Sequence, residues 1–178
     1  GKNPLEANSW KRLCDLPKQE SPYLFLDQRP RWFGRYLCFG DRQSATILTM
    51  NPQGVERVQR FPLPKAQHPC RFACDGLGRI LLAHGEETYC FENGTLSPLG
   101  FRISSGDGFN GAIPVPGTGR LVMCGFTDRE LDARLLELDV ETRRCRATRM
   151  QNVDPWSVLL PFGEDWVLVK GSCDSMRL

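Results

Sequence analysis

The segment Gly34-Arg35-Tyr36-Leu37-Cys38-Phe39-Gly40 is an apolar run that begins with Gly-Arg and ends with Gly. Similar runs return three times further along the chain, at 78–85, 119–125 and 165–171. Their leading apolar residues, at positions 36, 80, 121 and 166, are spaced by 44, 41 and 45 residues. Short apolar runs that are bounded by glycine and rich in β-branched and aromatic residues are typical of buried strands. The spacing therefore predicts an internal repeat built on buried strands.

Further strand-like segments flank each run. A short apolar segment precedes each run, at 23–26, 72–74, 113–115 and 158–160. The turn between this segment and the run is longer in the first copy, where it contains 29–32. Alternating segments follow at 46–50, 88–91 and 134–138. After a turn such as Asn93-Gly94, a fourth segment follows at 55–61, 95–99 and 144–150. The chain is therefore predicted to be all-β, with four antiparallel strands in each repeat.

Residues 127–138 also fit a helix. Thr127 or Asp128 can cap it, and Leu131, Leu135 and Leu138 follow at helical spacing. The repeat register places this segment where two other copies have an alternating strand, so the prediction is a strand.

Four antiparallel strands in about 40–50 residues is the size of one blade of a β-propeller. The chain is predicted to be a single domain, 1–178, with about four four-stranded blades at 18–61, 68–101, 110–150 and 156–178. Residues 5–12 resemble 138–145, and the last blade stops where its third strand is expected. We therefore expect the N-terminal segment 5–16 to complete the last blade, because this pairing hides the edges that both ends would expose.

Three assemblies fit this repeat number. The chain forms a closed four-bladed ring, is a fragment of a larger propeller, or is half of an eight-bladed ring that a homodimer completes. A half-ring would expose two apolar flanks, which is unusual for a soluble monomer.

The segment Asn8-Ser9-Trp10-Lys11-Arg12-Leu13-Cys14-Asp15-Leu16-Pro17 resembles the last strand of a kelch repeat, which carries a Trp followed by Leu and Pro. The repeats depart from kelch because none has the double glycine, and none has the His and Trp-Asp signature of Trp-Asp repeats. The resemblance implies a β-propeller over essentially the whole chain and names no subfamily. Members of this superfamily are mostly interaction scaffolds, and some are lectins or hydrolases.

Composition and charge narrow the function classes. The chain is 40% apolar and 25% charged, which is typical of a folded globular protein. A net charge of +2 makes nucleic acid an unexpected partner, and no apolar stretch reaches the ~18–20 residues of a membrane-spanning helix. Six arginines fall on predicted fourth strands, where they are interpreted as a solvated outer rim: Arg57, Arg60, Arg143, Arg144, Arg146 and Arg149.

The eight cysteines are predicted to be mostly reduced thiols. There is no Cys-x-x-Cys pair, only two histidines are present, and most cysteines sit in apolar runs, where a thiol behaves as a small hydrophobe. Neither a metal nor a cofactor is predicted. The sequon Asn93-Gly94-Thr95 suggests secretion, but Asn-Gly is also the commonest two-residue hairpin turn, so an intracellular location is favoured.

The loops that join strands two and three, and those that join one blade to the next, open on the same face of a propeller. This face is the predicted partner-binding face, and its residues are Arg42, His68, Glu86, Asp107, Asn110, Asp128, Arg129, Asp154 and Trp156. No catalytic residue is assigned, since neither histidine has an identifiable partner in the sequence. The function expected is that of a non-enzymatic scaffold, or a subunit of a larger assembly, that binds another protein.

An alternative is a ligand-binding propeller that uses the central-channel loops. It would be lectin-like, or a metal-dependent, lactonase-like hydrolase in which carboxylates hold Ca²⁺. Asp, Asn and Gly at these positions also serve tight turns, and no position repeats one ligand type in every copy.

Overall fold

The computed structural model of the chain describes residues 30–103, 112–126, 133–149, 158–162 and 165–169. All regular secondary structure in these ranges is β-strand, which confirms the all-β prediction. Sheet 1 contains β1 (Arg31–Phe33), β2 (Tyr36–Gly40), β3 (Ser44–Asn51) and β4 (Gly54–Pro62). Sheet 2 contains β5 (Arg71–Cys74), β6 (Ile80–His84), β7 (Glu87–Glu92) and β8 (Thr95–Arg102). Sheet 3 contains β9 (Ile113–Pro114), β10 (Arg120–Phe126), β11 (Ala133–Asp139) and β12 (Arg144–Arg149), and β13 (Val158–Phe162) pairs with β14 (Asp165–Val169).

Strands pair in chain order, and every pair is antiparallel. In the described ranges the predicted second, third and fourth strands lie within two residues of the observed ones, except that β8 continues to Arg102, three residues beyond the predicted end at 99. The segment for which a helix was the alternative is β11, in which Leu135 lies opposite Thr148 and Leu136 opposite Ala147. The strand prediction is therefore confirmed for 134–138.

The Asn93-Gly94 pair forms the hairpin turn that the sequence predicts. Both residues have positive φ, 50° and 81°, and the flanking Glu92 and Thr95 are paired. A two-residue turn with two positive φ values matches the right-handed twist of the strands that it joins. This turn conformation accounts for Asn-Gly at these positions.

The first strand of sheet 1 corrects the prediction. Residues 29–32 were expected in a long turn after a strand at 23–26, but Arg31–Phe33 is a strand that pairs with β2. Gly34, with φ of 53°, and Arg35 form a two-residue turn between the paired residues Phe33 and Tyr36. Aromatic residues favour strands, and a glycine at positive φ lets the chain reverse at once, so the strand comes directly before Gly34. Residues 23–26 lie outside the described residues.

The three four-stranded sheets pack face to face in chain order. One face of sheet 2 packs against sheet 1 through buried residues that include Phe72, Ile80, Leu82, Phe91, Cys38 and Ile47. Its other face packs against sheet 3 through Ala73, Leu81, Cys90, Leu121, Met123 and Leu138. Successive side chains on a strand point to opposite faces, so β6 contributes Ile80 and Leu82 to one core and Leu81 to the other. Sheet 2 is consequently apolar on both faces.

The first strands of successive sheets lie next to one another. β5 contacts β1 and β9, and β9 also contacts β13. Sheets 2 and 3 also meet through their backbones, because the Gly76 N–H donates to the Arg120 carbonyl (3.3 Å) and the Gly117 N–H donates to the Gly76 carbonyl (3.1 Å).

The loops of the three sheets gather at two edges. The hairpin edge holds the turns that follow first and third strands, at 34–35, 52–53, 75–79, 93–94, 115–119 and 140–143. The crossover edge holds the turns that follow second strands, at 41–43 and 85–86, together with 63–70, which leads from sheet 1 to sheet 2.

Candidate functional site

The crossover edge carries three of the predicted partner-binding residues. Arg42, His68 and Glu86 are exposed and lie on three neighbouring loops. The Ala66 N–H donates to the Arg42 carbonyl (2.9 Å), and the Ala66 methyl group lies 3.7 Å from where a side chain on Gly85 would begin. The structure therefore brings these three loops to one edge. The other predicted residues lie outside the described residues: Asp107, Asn110, Asp128, Arg129, Asp154 and Trp156.

Asp41 holds the first of these loops in place. Its Oδ1 accepts hydrogen bonds from the N–H groups of Gln43 (2.7 Å) and Ser44 (2.6 Å), and its Oδ2 accepts one from the Ser44 hydroxyl (3.0 Å). Arg60 on β4 lies 3.7 Å from the same Oδ2. The carboxylate is buried, and these bonds satisfy it, as a buried charge requires.

A buried cysteine–histidine contact lies beneath the crossover edge. Cys70 Sγ is 3.3 Å from His84 Nδ1, and His84 Nε2 is 2.6 Å from the Pro64 carbonyl oxygen. A carbonyl oxygen only accepts, so Nε2 carries a proton and donates it to Pro64. Burial, and then the charge of Asp41, raises the pKa of the Cys70 thiol above its ordinary value. A thiol whose pKa is raised is held in its protonated form, so the contact with His84 fastens the 63–70 segment and does not form an activated nucleophile.

Sequence reasoning missed this contact. Arg71 lies opposite Ala83 in the β5–β6 pair, so continuing the register by one residue places Cys70 opposite His84. The signal in the sequence was the turn at 75–79, from which the register of the hairpin follows.

The hairpin edge carries two clefts that the sequence did not indicate. A cleft of about 280 Å³ between sheets 1 and 2, called here the β4–β7 cleft, is lined by Arg35, Tyr36, Thr49, Glu56, Arg57, Gln59, Phe91, Asn93 and Gly94. A second cleft, of about 360 Å³, lies between sheets 2 and 3 on the other side of Asn93, and its charged lining residues are Arg79, Glu92, Glu141 and Arg143. The Asn93-Gly94 turn separates the two clefts.

The two arginines of the β4–β7 cleft are held by different contacts. The Arg35 guanidinium lies over the Tyr36 ring, 5.3 Å from its centroid, and donates to the Tyr36 hydroxyl (3.2 Å). Arg57 Nη1 packs against Gly94, whose carbonyl accepts a hydrogen bond from the Gln59 side chain (2.8 Å). The sequence analysis placed Arg57 on a solvated outer rim. It did not predict the cleft, because the cleft forms only where sheets 1 and 2 pack together.

Charge is balanced in the second cleft. Arg79 Nε donates to the buried carboxylate of Asp75 (2.6 Å), and Glu92 and Glu141 lie with Arg143 on the cleft wall. The Nη2 atom of Arg79 is buried, and no hydrogen-bond partner for it occurs in the described part of the chain. This nitrogen lies against Gly119, so the guanidinium fills the space that a side chain at 119 would need.

The thiols that the structure describes are not paired with one another. Cys38, Cys70, Cys74 and Cys90 are free thiols, as expected of reduced cysteines, and Cys145 is exposed. Burial raises the pKa of Cys38 to about 12 and that of Cys90 to about 11.

Among the described residues, no three His, Cys, Asp or Glu side chains come together as a metal site would require. The same residues contain no helix long and apolar enough to cross a membrane. Comparisons with protein families, with curated proteins and with solved structures find no match to the chain.

Proposed function

We propose that the chain is a β-propeller that acts as a non-enzymatic protein-interaction module. The observation that carries the fold is the stacking of three four-stranded meanders, face to face and in chain order, with contacts between their first strands. In a propeller, the first strands line the axis and each blade packs on the next. The kelch-like segment at 8–17 agrees with this arrangement.

The outer face of sheet 1 supports the presence of a further blade. Trp32, Leu37, Leu48 and Val58 lie opposite one another across the four strands and form one apolar row. Trp32 is 57% exposed and Val58 is 39% exposed. A blade made from 156–178 and completed by 5–16 would cover this row and close the ring. A second copy of the chain in an eight-bladed ring would also cover it.

The buried polar groups support a structural role over a catalytic one. The Asp41 carboxylate is bonded to the amides of its own turn, and the Cys70 thiol contacts the His84 imidazole. A catalytic nucleophile or general base needs a shifted pKa that favours its reactive form, whereas the pKa of Cys70 is shifted the opposite way. Exposed charges that include Arg42, Glu86 and Arg143 lie in the loops of the two edges, where a protein partner would contact them.

Proximity labelling with the full-length chain tests the function. Two variants are compared with the wild type: Arg42→Glu with His68→Glu at the crossover edge, and Arg57→Glu at the hairpin edge. We expect a defined set of labelled proteins whose recovery falls about tenfold, equivalent to ~1.4 kcal/mol, in one edge variant while the melting temperature is unchanged. Identical labelling by the wild type and both variants would show that neither edge binds a protein partner.

The alternative function has its own readout. The full chain is incubated with Ca²⁺ and a panel of lactones, and its binding to a panel of simple sugars is measured. Calcium-dependent turnover or sugar binding that is lost in Asp107→Asn or Asp128→Asn would replace the scaffold proposal with the ligand-binding alternative.

A further inference from the structure

We propose that the β4–β7 cleft binds a carboxylate carried by a peptide segment of a partner protein, with Arg35 and Arg57 as the binding residues. This inference rests on the proposed function and deepens it by naming the surface and the partner chemistry. It also moves the binding site from the predicted crossover edge to the hairpin edge.

The two guanidinium groups are in a state suited to ligand binding. Neither Arg35 nor Arg57 lies within 4 Å of a carboxylate in the described residues, whereas Arg60, Arg79, Arg102 and Arg120 all form ion pairs. Stacking on Tyr36 positions the Arg35 guanidinium, and Arg57 Nη1 lies beside the Asn93-Gly94 turn. Arginines positioned before binding lose less side-chain entropy and offer planar, two-donor geometry to a carboxylate.

Charge complementarity favours a singly charged group. The charged residues that line the cleft are Arg35, Arg57 and Glu56, which together leave one positive charge. One carboxylate balances this charge, while a doubly charged phosphoryl group would leave a negative charge close to Glu56. The second cleft has balanced charges and lacks this preference.

The composition of the cleft resembles that of an interface core. Arg and Tyr are enriched at binding hot spots, and the half-buried Tyr36 ring lies beside Arg35 and packs against the buried Phe91. Gln59 and Asn93 add amide groups that can bond to the backbone of an extended peptide. The cleft is therefore built for a short segment with an acidic side chain at its centre.

Degenerate peptide pools with one fixed central residue test the inference. The pools carry Glu, Gln or phosphoserine at the fixed position, and the binding of full-length protein to each immobilised pool is measured. The variants are Arg57→Gln and Arg35→Gln, and the matched control is Arg146→Gln, which removes the same charge from an exposed arginine on β12. Arg42→Gln is measured as well, as a variant of the crossover edge. Arg57 is exposed, so its substitution is expected to leave stability within ~0.5 kcal/mol of the wild type.

We expect the wild type to bind the Glu pool about tenfold more than the Gln pool, and Arg57→Gln and Arg35→Gln to abolish this preference while the control Arg146→Gln retains it. Arg57→Lys should keep part of the preference, because lysine supplies the charge without the two-donor geometry. Equal binding of the Glu and Gln pools would overturn the inference, and stronger binding of the phosphoserine pool would overturn the carboxylate assignment. If Arg42→Gln is the one variant that loses binding, the assignment of the binding site to the β4–β7 cleft is refuted, while the proposed interaction function is retained.

Discussion

Gly76 lies where the backbones of two sheets come closest. Its N–H and carbonyl groups both bond to sheet 3, and a Cβ atom at this position would overlap the Val115 carbonyl. Because that neighbour is backbone, it cannot move aside as the end of a flexible side chain can. Glycine is therefore required at position 76 for steric reasons. Backbone conformation is not the reason, because Gly76 is not among the glycines with positive φ.

Gly76→Ala should lower the free energy of unfolding by ~3 kcal/mol or more, the range of severe overpacking. Gly100→Ala is the control, since Gly100 has a φ of 80° but open space around it and should cost only ~1–2 kcal/mol. Urea unfolding of both variants checks the comparison. Equal losses would show that backbone conformation, and not the contact between sheets, sets the cost at Gly76.

The cysteines should differ in reactivity according to their burial. Alkylation of the native protein near neutral pH should label Cys145 first and leave Cys38 and Cys70 unlabelled, because the former is exposed and the latter are buried with raised pKa values. Alkylation under denaturing, non-reducing conditions should label at least six of the eight cysteines. Mass spectrometry of the peptides gives both results. Labelling of four or fewer after denaturation would indicate a disulfide-bearing, secreted domain.

Buried thiols also predict a loss of stability at alkaline pH. In the folded state the pKa is about 12 for Cys38 and about 11 for Cys90, against an ordinary value of 9.0. Above pH 9 the unfolded chain releases protons that the folded chain still binds, so the free energy of unfolding falls as pH rises toward the folded values. Each such thiol contributes up to ~1.4 kcal/mol per pH unit. Urea unfolding from pH 8 to 11 should show a shallower decline for Cys38→Ala, and identical slopes would contradict the prediction.

At the scale of one element, the turn between β5 and β6 depends on Asp75. Its Oδ1 accepts from the N–H groups of Leu77 (3.0 Å) and Arg79 (2.9 Å), and its Oδ2 accepts from Arg79 Nε (2.6 Å). The carboxylate side chain is 0% exposed. The turn is therefore specified by one buried acid that bonds to both the backbone and a side chain.

Asp75→Ala should cost ~3–5 kcal/mol, because the Arg79 guanidinium would be left buried without its partner charge. Asp75→Asn, which keeps an acceptor, should cost less. Glu87→Ala is the matched control: it breaks an ion pair with Arg102 that is exposed on both sides, and should change stability by no more than ~1 kcal/mol. Thermal unfolding of the three variants gives the order. If Asp75→Ala lowers the stability no more than Glu87→Ala does, the Asp75 turn does not contribute to the stability of the fold.

Strands were predictable where the repeat and the local pattern agreed. The apolar runs at 36–40 and 80–84 and the Asn93-Gly94 turn all specify their structure locally, since glycine positions and alternation act over a few residues. The position of β1 was missed because Trp32 and Phe33 stand next to arginines and do not form an apolar run. The β4–β7 cleft was missed because it depends on the packing of two sheets, which single segments do not encode. The Cys70–His84 contact was missed because it lies one residue beyond the paired ends of β5 and β6, and it appears only when the register that the turn at 75–79 sets is extended to residue 70.

At the scale of the whole molecule, closure of the ring by the N-terminal segment remains a prediction, and 5–16 lie outside the described residues. Removing residues 1–16 should cost most of the cooperativity of unfolding, because the predicted last blade would lose a strand that covers the apolar row at Trp32. Trp10→Ala alone should cost ~3–5 kcal/mol if this blade is well packed. Thermal melting measures both variants, and an unchanged melting temperature in the truncated chain would refute closure.

Light scattering distinguishes closure within one chain from closure between chains. A mass near 20.2 kDa supports a four-bladed ring, while twice that mass supports strand exchange or an eight-bladed ring.

Sheet 2, whose two faces both need a partner sheet, has a consequence for synthesis on the ribosome. Sheet 1 is already available when β8 has been translated, but Leu81 and Cys90 wait for residues up to about 140 before sheet 3 can cover them. At ~5–20 residues per second, translation of the intervening stretch lasts about 2–7 s, whereas hydrophobic collapse takes well under a millisecond. For that interval the nascent chain carries a formed but half-covered sheet. During this interval a chaperone or a neighbouring nascent chain competes with sheet 3 for binding to the uncovered face of sheet 2. The speed of translation across 104–140 therefore determines the fraction of chains in which sheet 3 covers that face.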